Sequence, residues 1–346
     1  MQRRTLIRAA TAAALGAPAL SGLAQQRVTL KFHTFMAPVS QVWLSMHKPW
    51  MAQVEQASGG RIRFEPYPAM QLGGSPPQLY EQVRDGVVDV VWTLPGYTAG
   101  RFPRVEAFEL PFMMNEAEAT SKALWAYVQQ HAADEFKDTQ VLALHVHGPG
   151  VIHTVSKPVR AAADLRGLKM RGPTRQVTKL LGAIGASPVG MPLPQIPDAL
   201  SRGTIDGCVI PWEVVPSIKV QELTRFHAEL PAGSPALYTS TFVMAMNKAR
   251  YEALEPDLKA AIDAHSGAAT SAWLGRTQQA NDVAGRQAAV SRGNTVHTFG
   301  AAEAQEFRRL SAAIDDEWVA DMKARGFNGR ALLDAARSLI AQHARS

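Results

Sequence analysis

Residues 163–212 read ADLRGLKMRGPTRQVTKLLGAIGASPVGMPLPQIPDALSRGTIDGCVIPW. A short basic strand, LKMR, ends at Arg171 and Gly172, and a helix-like segment follows it. A small-residue turn, a second strand and another helix come next, before the apolar run IDGCVI. Strands that alternate with helices at this spacing predict right-handed βαβ units and a parallel sheet.

The same alternation extends in both directions along the chain. The patterns predict further strands at residues 28–35, 61–67, 87–93, 141–146, 152–156 and 236–246, with helices at 39–57, 76–85, 116–136 and 302–324. Residues 251–293 are almost continuously helix-forming. A chain of 346 residues with 46% hydrophobic and 19% charged residues is long and apolar enough for two globular domains. The predicted fold class is therefore α/β, with two domains.

Charge gives no support for a nucleic-acid partner. The formal net charge is +6, but Arg3, Arg4 and Arg8 lie in the first 24 residues, which contain no acidic residue, so the remainder carries +3. That excess is mild, and it is not gathered into a basic run or an aromatic–basic stripe.

Residues 1–24 have the pattern of an export signal. A basic beginning is followed by an apolar stretch over residues 9–20, and the small residues Gly22 and Ala24 suit a cleavage site. The twin arginine near the start is compatible with the twin-arginine route, and general secretion is the alternative. The apolar stretch is too short for a membrane anchor and contains Pro18. A periplasmic location is predicted.

Candidate catalytic and metal-binding patterns are weak. Cys208 is the single cysteine and lies in an apolar run, so a buried, inert thiol is expected. His145 and His147 alternate on a strand, but a third metal ligand is missing nearby, so a solvated or satisfied pair is expected. The chain shows no zincin helix, nucleophile elbow or phosphate-binding glycine loop. We therefore predict neither an enzyme nor a cofactor or metal site.

Arg171 is the charged residue best placed to meet a ligand. Ligands of open α/β sheets bind beyond the carboxyl ends of strands, where this arginine stands. Its planar guanidinium matches a carboxylate with two parallel hydrogen bonds. The alternative is an ordinary salt bridge at the surface or between domains. If the residue faces a cleft, Arg171→Ala is expected to leave folding intact.

The chain resembles the solute-binding proteins of tripartite ATP-independent periplasmic (TRAP) transporters. Five patterns that resemble the family's occur in order: P..QLG at 68–73, V.DG..D at 83–89, F.LPF at 108–112, DL.GLK.R.P at 164–173, and G..P.......AL..G.IDG at 190–207. The resemblance, over roughly residues 27–330, implies that Arg171 binds a carboxylate and that two domains close on it. It also implies delivery of the ligand to a membrane permease.

The resemblance further implies domain limits. Domain I would comprise residues 27–148 and about 237–275, and domain II residues 149–236 and about 276–330. The family's sheets are mostly parallel, an interdomain cleft separates them, and a long helix braces both domains. The chain is expected to be a monomer or a homodimer.

The cleft of this chain differs from that of family members that bind sugar acids. In an alignment by eye, the positions that are polar in those members are occupied here by Phe35, Leu94, Val151 and Ile210. Leu193 keeps an apolar role. The other expected pocket residues at strand ends are Trp92, Pro211, Trp212 and Phe242. Because a buried hydroxyl without a partner is costly, this wall predicts an organic monocarboxylate with an apolar or aromatic body. Because stacking on the indole would be lost, Trp212→Ala should weaken the binding of aromatic ligands more than that of small aliphatic acids.

Two other functions remain open at the level of sequence. One is an exported enzyme that acts on aromatic acids, and the missing nucleophile–base motif and paired carboxylates count against it. The other is a sensor subunit that presents its ligand to a membrane kinase.

Overall fold

The computed structural model describes residues 27–344, so the predicted export signal lies outside the described residues. Two β-sheets with helices packed around them make up this part of the chain. Parallel pairs outnumber antiparallel ones, and each sheet contains both kinds. The expected α/β class with two mostly parallel sheets is confirmed.

The first sheet has five strands in the order β2-β1-β3-β10-β4. Their bounds are Val28–Thr34 (β1), Ile62–Tyr67 (β2), Val90–Thr93 (β3), Thr139–Val146 (β4) and Thr241–Asn247 (β10). Every residue of β3 and β10 is buried, as expected of strands covered on both faces. These strands fall inside the limits predicted for domain I.

The second sheet has six strands in the order β11-β9-β5-β8-β6-β7. Their bounds are Gly150–Thr154 (β5), Lys169–Gly172 (β6), Ser187–Gly190 (β7), Gly207–Pro211 (β8), Phe226–Glu229 (β9) and Thr295–Thr298 (β11). The sequence pattern missed β9 and β11. Both have only four residues, and β11 is only partly buried, so neither shows a long apolar run.

Thirteen α-helices occur within residues 27–344. They are Lys48–Ala57 (α1), Leu79–Arg84 (α2), Ala117–Tyr127 (α3), Arg175–Ala183 (α4), Ile196–Ser201 (α5), Val220–Leu223 (α6), Lys248–Glu252 (α7), Pro256–Asp263 (α8), Gly267–Ala280 (α9), Asp282–Ser291 (α10), Ala301–Ser311 (α11), Ala313–Ala324 (α12) and Gly329–His343 (α13). None of those helices is both long and apolar enough to cross a bilayer.

The bracing helix is present in two segments. Helix α9 packs against α3 and β4 beside the first sheet, whereas α10 packs against the turn after β8 in the second. The two segments meet at Asn281. The helix-forming region is broken again where α8 and α9 begin at Pro256 and Gly267. The predicted last helix likewise divides into α11 and α12, and α13 follows it and packs against α3.

The edges of the two sheets that face each other carry the ends of several strands. Strands β1, β3 and β4 end at this edge of the first sheet, and the antiparallel strand β10 begins there. Strands β6, β7 and β8 end at the corresponding edge of the second sheet, where β5 begins. Residues far apart in sequence are thereby brought to one place.

Candidate ligand-binding site

An apolar cavity lies between these two edges. Its wall combines one guanidinium, several aromatic rings and a few buried polar groups. It includes most of the predicted site residues, namely Arg171, Trp92, Phe35, Leu94, Leu193, Ile210, Pro211 and Phe242. Both sheets therefore contribute residues to one site.

Arg171 is held in place by the two strands that flank β6. Its side chain is 2% exposed. Its Nε donates to the carbonyl oxygen of Met191 at 2.9 Å, just after β7, and its Nη1 donates to that of Val209 in β8 at 3.1 Å. These two bonds fix the plane of the guanidinium and leave other N–H groups for a ligand.

No carboxylate of residues 27–344 forms an ion pair with Arg171. The guanidinium interacts with the phenol of Tyr97, whose pKa is raised by burial and lowered in part by the charge of Arg171. A buried cation without a counter-ion is unfavourable by several kcal/mol. The salt-bridge alternative is therefore wrong, and the positive charge of Arg171 has no anionic partner among the described residues.

The expectation that Arg171→Ala leaves folding intact rests on a side chain that faces a cleft. The guanidinium does not face open solvent. It is buried and satisfies two carbonyl oxygens of neighbouring strands. Its removal takes a buried donor from each of those two carbonyl oxygens, so a loss of stability is expected.

An aromatic wall lies on the side of the first sheet. The rings of Trp92 and Phe242 stack with centroids 4.5 Å apart and an interplanar angle of 13°. Phe35 packs against Trp92 at 5.4 Å and against Tyr97 at 5.6 Å. Because β3 and β10 are antiparallel neighbours, the end of one strand meets the beginning of the other, which brings the first two rings together.

His145, in β4, and His147, just after it, are buried rather than solvated. His145 Nε2 accepts a hydrogen bond from the indole of Trp92 at 2.8 Å, and burial lowers its pKa to about 3. His147 Nε2 accepts from the backbone amide of Ser240 at 3.1 Å, and burial lowers its pKa to about 4. The neutral imidazole of His145 thus orients the largest ring of the wall.

Buried polar atoms occupy another part of the cavity wall. Glu213 Oε1 accepts from Gln278 Nε2 at 2.6 Å, and burial raises the pKa of Glu213 to about 7. Glu213 Oε2, Gln278 Oε1, Tyr238 OH and Ser240 Oγ are buried and have no hydrogen-bond partner among the described residues. These wall residues therefore contain polar atoms whose hydrogen-bonding capacity the described residues leave unused.

Trp212 and Val151 do not lie where the sequence predicted. Both line a second hollow. The Trp212 indole donates to Glu229 at 2.7 Å and packs against His153, because a buried indole N–H needs an acceptor. Tyr238 packs against Gly150 at the start of β5, where an added Cβ would lie 1.9 Å from the ring, and this tyrosine lines the cavity instead of Val151.

Sequence reasoning also missed several residues of the cavity wall. They are Met36, Tyr97, His147, Pro173, Glu213, Val214, Tyr238, Ser240 and Gln278. Glu213 follows directly after residues 210–212, which were predicted to lie at a strand end. Its position in the sequence could therefore have identified it as a candidate site residue. Gln278 lies within α9 among similar polar residues, and nothing in its local sequence distinguishes it.

Contacts across the cavity join the parts attached to each sheet. The amide of Leu193, after β7, donates to the hydroxyl oxygen of Tyr97 at 3.0 Å. Glu106, beside the first sheet, pairs with Arg175 and accepts from Gln176 at 2.7 Å, both from α4. The two sides thus contact each other around the cavity.

The chain belongs to the family described as bacterial extracellular solute-binding protein, family 7 (DctP), whose model matches residues 33–321. This is the family of TRAP solute-binding proteins, which bind small organic acids and work with membrane permeases. Its members are receptors rather than enzymes. The resemblance inferred from the sequence motifs is confirmed.

Three solved structures are similar over nearly their whole length. A TRAP solute-binding protein from Rhodoferax ferrireducens, in complex with copurified benzoate, is 68% identical, with a TM-score of 0.91, covering 92% of this chain and 99% of that one. A marine metagenome protein specific for aromatic acids, with 3-hydroxybenzoate, is 47% identical, with a TM-score of 0.90 and the same coverage. A Bordetella bronchiseptica protein with bound mandelate is 28% identical, with a TM-score of 0.83, covering 91% and 99%.

Proposed function

We propose that this protein captures an aromatic monocarboxylate and presents it to a TRAP permease in the membrane. The single observation that carries the proposal is the buried, unpaired guanidinium of Arg171 at one end of an aromatic cavity. One cation neutralises one carboxylate, and a second carboxylate would be stranded against apolar side chains.

The cavity wall supports an aromatic body for the ligand. Trp92, Phe242 and Phe35 offer ring surface, and Leu94, Ile210 and Leu193 add aliphatic surface. A flat ring gains offset or edge contacts with such a wall, whereas the hydroxyls of a sugar acid would lose water without finding enough partners. The benzoate and 3-hydroxybenzoate of the two most similar structures reported above agree with this chemistry.

The mechanism we propose is hinge closure without chemistry. The limits predicted for domains I and II place β1–β4 and β10 in one body and the other strands in the second. The connections after β4 and before β10, together with α9 and α10, join them. We propose that closure forms the contacts of Tyr97 with Leu193 and of Glu106 with Arg175, both of which are present in the structure.

Calorimetry of the mature protein tests this function. Benzoate and 3-hydroxybenzoate are expected to bind at least 100-fold more tightly than succinate and galactonate, since the latter two leave buried polar groups unpaired. Scattering in solution should also give a smaller radius of gyration with ligand, unless the free protein is already closed. Tight binding of succinate or galactonate without binding of either aromatic acid would refute the proposal.

The remaining parts of the proposal concern export, oligomeric state and the two alternative functions. We propose export to the periplasm, by the twin-arginine or the general route, and a monomeric or homodimeric state. An enzyme acting on aromatic acids would turn over a bound ligand, which mass spectrometry of the recovered ligand detects. A sensor subunit would be encoded beside a membrane kinase, whereas a transport receptor would be encoded beside two permease subunits.

A further inference from the structure

The Glu213–Gln278 pair is a buried polar contact in a wall that is otherwise mostly apolar. Both side chains line the cavity and both are buried. They satisfy each other through one bond of 2.6 Å, from Gln278 Nε2 to Glu213 Oε1. Glu213 Oε2 and Gln278 Oε1 have no partner in the described part of the chain. Polar atoms left in this state are unfavourable unless a ligand satisfies them.

The pair is built into the frame of the protein. Glu213 lies in the turn that follows β8, and its backbone amide donates to Asp282 at the start of α10 at 2.9 Å. Helix α10 approaches this turn so closely that a Cβ on Gly285 would lie 1.9 Å from the carbonyl oxygen of Trp212. Gln278 comes from the last turn of α9. The carboxyl is therefore positioned before a ligand arrives.

The pair is separate from the cationic end of the cavity. The positive charge of Arg171 lowers the raised pKa values of Tyr97 and Tyr238, which places those hydroxyls in its field. The Arg171 guanidinium bonds to the carbonyl oxygens of Met191 and Val209, whereas Glu213 bonds to Gln278 and Asp282. No hydrogen bond or ion pair among the described residues joins Arg171 to Glu213 or Gln278. A ligand whose carboxylate lies at Arg171 would thus present its ring, rather than its carboxylate, to Glu213.

We infer that Glu213 and Gln278 form a hydroxyl-recognition subsite and that the ligand class is a ring-hydroxylated aromatic carboxylate. This inference rests on the proposed function, because it takes the ligand's carboxylate to lie at Arg171. A phenolic hydroxyl donates one hydrogen bond and accepts others. It can donate to either unpartnered oxygen, and a protonated Glu213 can donate to it in return. A methyl group of similar size can do neither.

Paired ligands isolate this hydrogen bond. We would measure dissociation constants by calorimetry for 3- and 4-hydroxybenzoate, each against the methylbenzoate with its substituent at the same position. In the unaltered protein, at least one hydroxy acid is expected to bind about tenfold or more tightly than its methyl counterpart. The ratio of the two constants cancels any general loss of affinity.

The double variant Glu213→Met/Gln278→Leu removes both partners together and so strands neither of them. It is expected to reduce the hydroxyl preference to about twofold or less, or to reverse it. Glu213→Gln, which keeps the shape and the hydrogen-bonding ability, is expected to retain a preference of at least threefold and serves if the double variant fails to fold. Glu252→Met, at an exposed glutamate, is the matched control and should keep the full preference.

The outcomes separate this inference from the proposed function. Binding of aromatic acids without any preference for a hydroxyl, or a preference that survives the double variant, overturns the subsite alone. If the unaltered protein binds no aromatic acid, the proposed function fails and the subsite fails with it. A preference that disappears in the double variant and persists in Glu252→Met supports the inference.

Discussion

Replacing Arg171 by lysine separates the geometry of the cationic site from its charge. The guanidinium uses Nε and Nη1 for the carbonyl oxygens of Met191 and Val209, and under the proposed function its remaining N–H groups are the donors to the ligand's carboxylate. An ammonium at this site keeps the charge, but it cannot hold two carbonyls and a carboxylate in one plane. The variant therefore removes the forked pairing without removing the cation.

The expected magnitude follows from the number of bonds lost. A charge-assisted hydrogen bond contributes about 1.5–3 kcal/mol, so loss of one of two parallel bonds in Arg171→Lys should weaken benzoate binding by about 10- to 150-fold. Arg171→Gln removes the charge as well. It should cost about 2–5 kcal/mol, or roughly 30-fold to several thousandfold. The order of affinities, Arg above Lys above Gln, is part of the prediction.

Calorimetric titration with benzoate at constant pH and salt is the assay, after circular dichroism has shown that each variant is folded. Thermal midpoints of the free proteins need separate measurement, since both variants leave backbone carbonyls unsatisfied. The matched control is Arg166→Lys, an exposed arginine just before the same strand, which should bind as the unaltered protein does. If Arg171→Lys bound benzoate within threefold of the unaltered protein, the bidentate carboxylate site would be refuted.

Three further perturbations follow from the contacts described above. Arg175→Met breaks the ion pair with Glu106 that joins the two sides of the cavity. In titrations, the affinities for all ligands should therefore fall by a similar factor of about 2–10. A change in selectivity among the ligands would contradict this prediction. Burial raises the pKa of Glu213 to about 7, so its contribution to stability is greatest below pH 4.5 and is lost as pH rises through 7. In Glu213→Gln, the fall in the free energy of unfolding between pH 5 and pH 8, measured with urea, should be smaller by up to about 3 kcal/mol. A fall equal to that of the unaltered protein would refute this prediction. Phe242→Leu should weaken the binding of benzoate more than that of a small aliphatic acid. Trp212→Phe should lower thermal stability without changing this selectivity. Calorimetric titration of both variants shows which of the two rings contributes to the selectivity.

Much of the site was predictable because strand ends are predictable. The run LKMR placed Arg171 at the end of β6, and the apolar pattern placed Trp92 at the end of β3. Since parallel strands end at one edge, these side chains were expected to meet. The antiparallel strand β10 contributes Phe242 from its beginning for the same topological reason. The four-residue strands β9 and β11 were missed because so short a segment carries too little periodicity.

The sequence by itself determined the family, the order of most strands and helices, the position of the arginine and the apolar character of the residues around it. Those properties are local, because they depend on periodicity, turn residues and motif spacing. Only the tertiary structure decided which rings face the cavity. The Trp212 indole lies outside the cavity, where its N–H donates a hydrogen bond to Glu229, and Tyr238 lines the cavity and packs on Gly150. The bond between Glu213 and Gln278 spans 65 residues of sequence, and such a pairing depends on how a helix docks against a turn rather than on the residues next to either partner.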